Sequence, residues 1–251
     1  MKQDYELDYQ ERIGFIKGLA IPDGVNVLDS SAVINLGFSN HLSERDSCKY
    51  SKETIEAERK LLQGLAQLFA SDRRYVCPLE AREEFDCFTP NYEVVGRMNP
   101  ALRQMLAGLM KDRRVLFARI GKVSERLSLE ASSYLDDLKR IVLKDSLEFY
   151  GAHEKLRKER LAKGSNVNHN GDDEAIFAKC VALSYSERVR LVTHDGDFRH
   201  IHRAFYDGIE DLTANGLPLP TNPVELAFVH GRAVEFIPPR RRARRLARMQ
   251  A

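Results

Sequence analysis

Four places in this 251-residue chain set carboxylates at the end of an apolar run or at the start of a helical one. Asp29 follows VNVL. Glu83 and Glu84 stand early in the segment after YVCP, Asp172 and Asp173 open DDEAIFAKC, and Asp195 and Asp197 come directly after LVT. Carboxylates brought together repel one another and resist ionising in common. A fold tolerates such a gathering when a cation offsets it, and hard ions such as Mg²⁺ and Mn²⁺ take oxygen ligands. Two such ions, about 4 Å apart, can support phosphodiester cleavage. Taken singly, each position has a plainer explanation. Asp29, Asp172 or Asp173 could cap a helix, Asp195-Gly196 could form a turn, and Glu83 and Glu84 could be solvated. Recurrence at successive element ends favours one common site.

The elements that must position these residues read as α/β throughout. VNVLDSSAVINL, residues 25–36, is a β-branched run, an acid and a helix-compatible stretch. Residues 51–70 have helical periodicity, with Ile55, Leu61, Leu62, Leu65, Leu68 and Phe69 on one side. Residues 75–77 are a short strand, and Pro78 suits a helix start because its missing N–H costs nothing there. Residues 99–162 read as two or three helices, forming a hairpin that stands off the sheet. Residues 172–186 form a helix apolar enough to be covered on two sides, and residues 190–193 a brief strand. VELAF and AVEFI near the end read as two strands, or one strand and a loop. Short apolar strands between helices predict a three-layer α/β/α fold around a mostly parallel sheet. Ligands of such sheets collect outside the carboxyl ends of the strands, where Asp29 and Asp195 fall.

Composition narrows the classes. A hydrophobic content of 43% is enough for a full core. Cys48, Cys77, Cys87 and Cys180 make no C-x-x-C pair, and no cysteine or histidine cluster suggests zinc. No glycine-rich phosphate loop suggests a nucleoside triphosphatase or a dinucleotide enzyme. The polar start and the lack of a long apolar span predict a soluble, cytoplasmic protein with no membrane association.

These motifs together resemble the PIN-domain family of nucleases. VNVLDSSAVINL resembles that family's opening strand, with Asp29 as first metal-binding acid and Ser30 as the small hydroxyl residue after it. VCPLEAREEFD resembles the segment carrying the second acid, which by register is Glu84, with Glu83 as the alternative. GDDEAIFAKCVAL resembles the helix that places the third acid at Asp173, beside Asp172. LVTHDGDF is similar to the T-x-D-x-D-F signature, making Asp195 the fourth acid and Asp197 an auxiliary ligand. Thr193 would then be the hydroxyl that holds a carboxylate or phosphate. The resemblance covers residues 25–88 and 171–205. It implies a PIN-like domain over residues 25–237, Mg²⁺ or Mn²⁺ as cofactor, and cleavage of RNA that leaves a 5′-phosphate. Residues 1–24 would be an N-terminal extension. The departure is a helical insertion at about residues 91–170, longer than in compact toxin-type members. Homodimerisation and an antitoxin-like protein partner are further options within the family.

Net charge is only +2, but its distribution is uneven. Arg240, Arg241, Arg242, Arg244, Arg245 and Arg248 crowd a tail over residues 238–251, and KLRKERLAK makes a second basic stretch. Both suit salt-sensitive contact with nucleic-acid phosphates. A metal-dependent endoribonuclease is the leading expectation. A structure-specific DNA nuclease and a non-catalytic RNA-binding or scaffold protein are the alternatives. His194 reads as a polar loop residue, with phosphate contact as the sharper option. His200 and His202 lie two apart and share no helical face.

Overall fold

The computed structural model describes residues 9–35, 52–87, 95–96, 98–123, 126–152, 171–209, 214, 216–230 and 233–237. Among the described residues six strands form one sheet: β1 (Gly24–Leu28), β2 (Tyr75–Cys77), β3 (Gly121–Lys122), β4 (Arg188–Thr193), β5 (Glu225–His230) and β6 (Ala233–Ile237). Their order is β3-β2-β1-β4-β5-β6. All neighbours are parallel except β5 and β6, which form an antiparallel pair. Strand order reverses between β1 and β4, so the crevice beyond their carboxyl ends is the switch point of the sheet.

The central strands are apolar because both faces are covered. Val25, Val27, Leu191 and Val192 are buried, as are Leu226 and Ala227 in β5. Asn26 is a polar residue in the middle of β1, and its Oδ1 accepts from the Ile21 N–H at 2.9 Å. It therefore tethers the turn that feeds the strand.

Nine helices flank the sheet among the described residues: α1 (Tyr9–Gly18), α2 (Ser30–Asn35), α3 (Lys52–Ser71), α4 (Leu79–Cys87), α5 (Pro100–Arg119), α6 (Leu129–Ser133), α7 (Leu135–Ala152), α8 (Asp172–Leu183) and α9 (Asp197–Asp207). α1, α3 and α5 pack together in one layer, while α4, α6, α7, α8 and α9 form the other. The result is a three-layer α/β/α architecture with a long helical insertion. α3 buries Ile55, Leu61, Leu62, Leu65 and Phe69, as its periodicity requires. α8 is buried from Glu174 to its end because β4 lies on one side and α7 on another.

The insertion corrects the expectation of a hairpin standing off the sheet. α5 joins the layer of α3, α7 joins the layer of α8 and α9, and β3 extends the sheet between them. The physical reason lies in the apolar stripes. Leu106, Leu109, Leu116 and Phe117 on α5, and Leu138 and Val142 on α7, each need a core, and opposite faces of the sheet supply it. Arg82 of α4 fastens this edge by donating from Nε to the Cys77 carbonyl at 3.2 Å and from Nη2 to the Gly121 carbonyl at 3.1 Å. α4 is tied to α8 as well. Glu80 accepts two bonds from Lys179 Nζ, at 2.8 and 2.6 Å, and Lys139 of α7 stands 4.0 Å away.

α9 is anchored through the residue before β5. Tyr206 Oη accepts from the Val224 N–H at 2.7 Å, and His202 Nε2 donates to the Val224 carbonyl at 3.1 Å. Burial holds the His202 imidazole at about 4, against an ordinary value of 6.5, although the bond to Val224 opposes the shift. The unfolded chain therefore takes up this proton at higher pH than the folded one. The contribution of neutral His202 is complete above about pH 6.5 and is lost as pH falls toward 4. A shift of this size corresponds to roughly 3 kcal/mol at most. Urea unfolding of the wild-type chain should lose stability over that window, and a His202→Gln variant should show a shallower loss. Parallel pH profiles would overturn this assignment.

Candidate metal centre

The site grows from the register of β1 against β4. Val27 pairs with Leu191 and Leu28 with Val192, and the Asp29 N–H continues the ladder by donating to the Val192 carbonyl at 3.1 Å. Asp29 and Thr193 therefore stand side by side where the two strands end. Both are buried, at 2% and 0% exposure, so their polar groups need partners inside the protein. Thr193 Oγ1 donates to Asp29 Oδ2 at 2.9 Å and accepts from the Asp195 N–H at 2.9 Å.

Ser31 completes this knot. Its hydroxyl bonds Asp29 Oδ2 at short range, lies 3.1 Å from Thr193 Oγ1, and accepts from the His194 N–H at 3.0 Å. The Ser31 N–H also reaches Asp29 Oδ2, at 3.3 Å. Asp29 thus caps α2, as the plainer reading of the sequence had it, and is also bound to the end of β4. Ser30, named in the sequence motif, is buried beside it. The sequence motif singled out Ser30, whereas the structure gives these bonds to Ser31. The one signal was position: Ser31 is the second residue of α2, where a capping carboxylate finds a donor.

Beyond Thr193 the chain turns sharply. Asp195 Oδ1 accepts from the Asp197 N–H at 2.9 Å, which starts α9. On the facing element, Gly171 opens α8 at φ +76°, a left-handed conformation that a side chain would strain. This start sets Asp173 in the first turn of α8. Oxygens of Asp173, Asp195 and Asp197 converge within 4.8 Å of one another. Asp197 is buried, whereas Asp173 and Asp195 reach solvent.

The other expected residues fall in different places. Asp29 is outside the group of three and is joined to it through Thr193 and Asp195. Asp172 and Glu83 are exposed. Glu84 lies on α4, but its side chain is outside the described residues. The arginine tail and KLRKERLAK also lie outside them. His194 Nδ1 faces the Val229 carbonyl, which can only accept, so Nδ1 carries the proton. His202 is a buried anchor of α9 rather than a ligand.

Three carboxylates form an all-oxygen donor set suited to a hard divalent ion. With their oxygens within 4.8 Å of one another, the three could close on one shared ion by side-chain adjustment. α8 and α9 begin at the cluster, and helix N-termini favour negative charge. The α/β/α fold and this acidic group are compatible with a PIN-like arrangement and with nuclease-like hydrolysis. No protein-family model, curated protein or solved structure matches the chain. Among the described residues, no helix is long and apolar enough to cross a membrane.

The Thr193 hydroxyl orients the acids without joining their cluster. Thr193→Val should keep the fold and weaken Mn²⁺ binding by about tenfold or more, as loss of an orienting group at a metal site does. Titration calorimetry beside circular dichroism checks this. Unchanged affinity would remove Thr193 from the site.

Proposed function

We propose that this chain is a metal-dependent endoribonuclease that hydrolyses RNA phosphodiester bonds. The observation that carries this reading is the convergence of Asp173, Asp195 and Asp197 beyond the carboxyl ends of the central parallel strands. Mg²⁺ or Mn²⁺ would be held by these three, with Asp29 and Glu84 completing the acidic set. When bound, the ion supplies Lewis acidity toward water and phosphate oxygens. The chain's own residues fix the geometry. Thr193 and Ser31 hold Asp29 against the end of β4, and the Asp195 carboxylate sets the start of α9 and hence the place of Asp197. RNA as substrate rests on the motif resemblance, and so does water as nucleophile, with the new end carrying a 5′-phosphate.

Purified protein incubated with labelled single-stranded RNA should cleave it with Mn²⁺ or Mg²⁺ and not with EDTA. Asp195→Asn and Asp29→Asn should each lower the rate by about a hundredfold or more while leaving the circular dichroism unchanged. Undiminished cleavage by the Asp195→Asn protein would sink the scheme. Preference for matching DNA would favour a DNA nuclease. RNA binding without cleavage or Mn²⁺ affinity would favour a scaffold role.

A further inference from the structure

Beside the acidic cluster, on the β5 side, lies a small aromatic and cationic ledge. Phe228 is the β5 residue in register with Thr193, so its ring sits one strand over from the end of β4. The His194 ring lies nearly parallel to it, at 6° and 6.1 Å between centroids. Arg199, in the first turn of α9 and two residues after Asp197, lays its guanidinium over the same ring at 4.0 Å. His194 and Arg199 thus flank the acidic motif in sequence and meet on one aromatic support in space.

The carboxylate that engages Arg199 is Glu235 of β6, bonded through Nη2. Glu235 is 60% exposed and Arg199 39% exposed in their side chains. A pair so open to water contributes little to stability. Its charge and geometry are also those a phosphate would present, since guanidinium binds carboxylate and phosphate with the same fork. The Phe228 support limits how far the guanidinium can wander, so a change of partner would cost little ordering.

We propose that Arg199 is a substrate-positioning residue that exchanges Glu235 for a backbone phosphate of the bound RNA strand, while the buried Phe228 ring steadies the guanidinium from beneath. Glu235 acts as an internal competitor for the same guanidinium. This inference rests on the RNA reading of the acidic site, yet its test needs no catalysis.

The probe is a short fluorescein-labelled single-stranded RNA, bound in EDTA and followed by anisotropy over a salt series. Arg199→Gln should weaken binding about five- to tenfold, the worth of one charge-assisted phosphate contact. It should also reduce the slope of log affinity against log salt by about one. Glu235→Gln should tighten binding, by up to about fivefold, because it frees the guanidinium. A purely structural ion pair predicts the opposite pattern, with both variants weakened alike. That result would overturn the proposal, as would unchanged binding in both variants, or no binding by the wild-type chain. The nuclease reading fails on a separate observation, the absence of metal-dependent cleavage, so the two failures are distinguishable.

Discussion

The parallel pairing of β1 with β4 is the constraint on which the rest of the site depends. These two strands lie at the centre of the sheet, and their apolar side chains are buried on both faces. A slip of one residue would turn each side chain to the opposite face, so the register is strongly specified. The pairing that packs Val27 beside Leu191 also brings Asp29 beside Thr193. Core packing and site geometry therefore share one cause. A buried hydroxyl at position 193 must find partners, and it finds them in the Asp29 carboxylate and the Asp195 N–H. Through that one side chain the end of β1 is coupled to the turn that starts α9.

Two contrasting settings for carboxylates stand out among the described residues. Glu80 is neutralised by Lys179 and stands near Lys139, which joins α4, α8 and α7. Such a pair locks elements together, and removing one partner leaves a costly charge behind. The acids at the strand ends are instead set among backbone N–H groups, hydroxyls and helix starts. α2, α8 and α9 all begin there, and each helix start favours an anion by roughly 0.3–1 kcal/mol. Dipoles of this kind hold a carboxylate in place while leaving its oxygens able to serve another cation. The difference separates an acid used for structure from acids suited to chemistry.

Much of this was legible in the residues. Strands covered on both faces show as continuous apolar runs, so β1, β2 and β4 could be read closely, and so could the two-sided burial of α8. What one dimension hides is what another part of the chain defines. β3 is two residues long and exists because Tyr75–Cys77 offers it an edge, not because Gly121 and Lys122 favour a strand. The two halves of the insertion carry ordinary amphipathic patterns, which say that a face is buried but not against which side of the sheet. The pairing of Lys179 with Glu80 spans 99 residues and leaves no periodic trace. At the site, Asp173, Asp195 and Asp197, which the structure groups, could be singled out because a carboxylate after an apolar run or at a helix start is visible in one dimension. Ser31 was not, because choosing between two adjacent serines requires the start of α2 and the neighbouring strand together.

If the acidic centre acts on a polyanion, it must recruit cations from its surroundings, and most arginines described here are already engaged. Arg59 is bound to Asp112, Arg74 to Asp72, and Arg190 to Glu225 and the Leu19 carbonyl. Each of these contacts fastens one element to another or closes a turn, and in each at least one partner is well sheltered from water. Arg190, for instance, is 14% exposed in its side chain. Giving up such a contact would strand a half-buried charge, so these residues are poor candidates for binding a mobile strand. Arg140 with Asp137 and Arg203 with Asp207 are open pairs, but each lies within a single helix. Arg199 combines the missing properties. Its partner Glu235 is solvated, its plane is steadied by Phe228, and it belongs to the first turn of the helix that Asp197 opens. An arginine held by an aromatic ring rather than by a buried acid keeps its position when its counter-charge changes, which is the property that contact with successive phosphates demands.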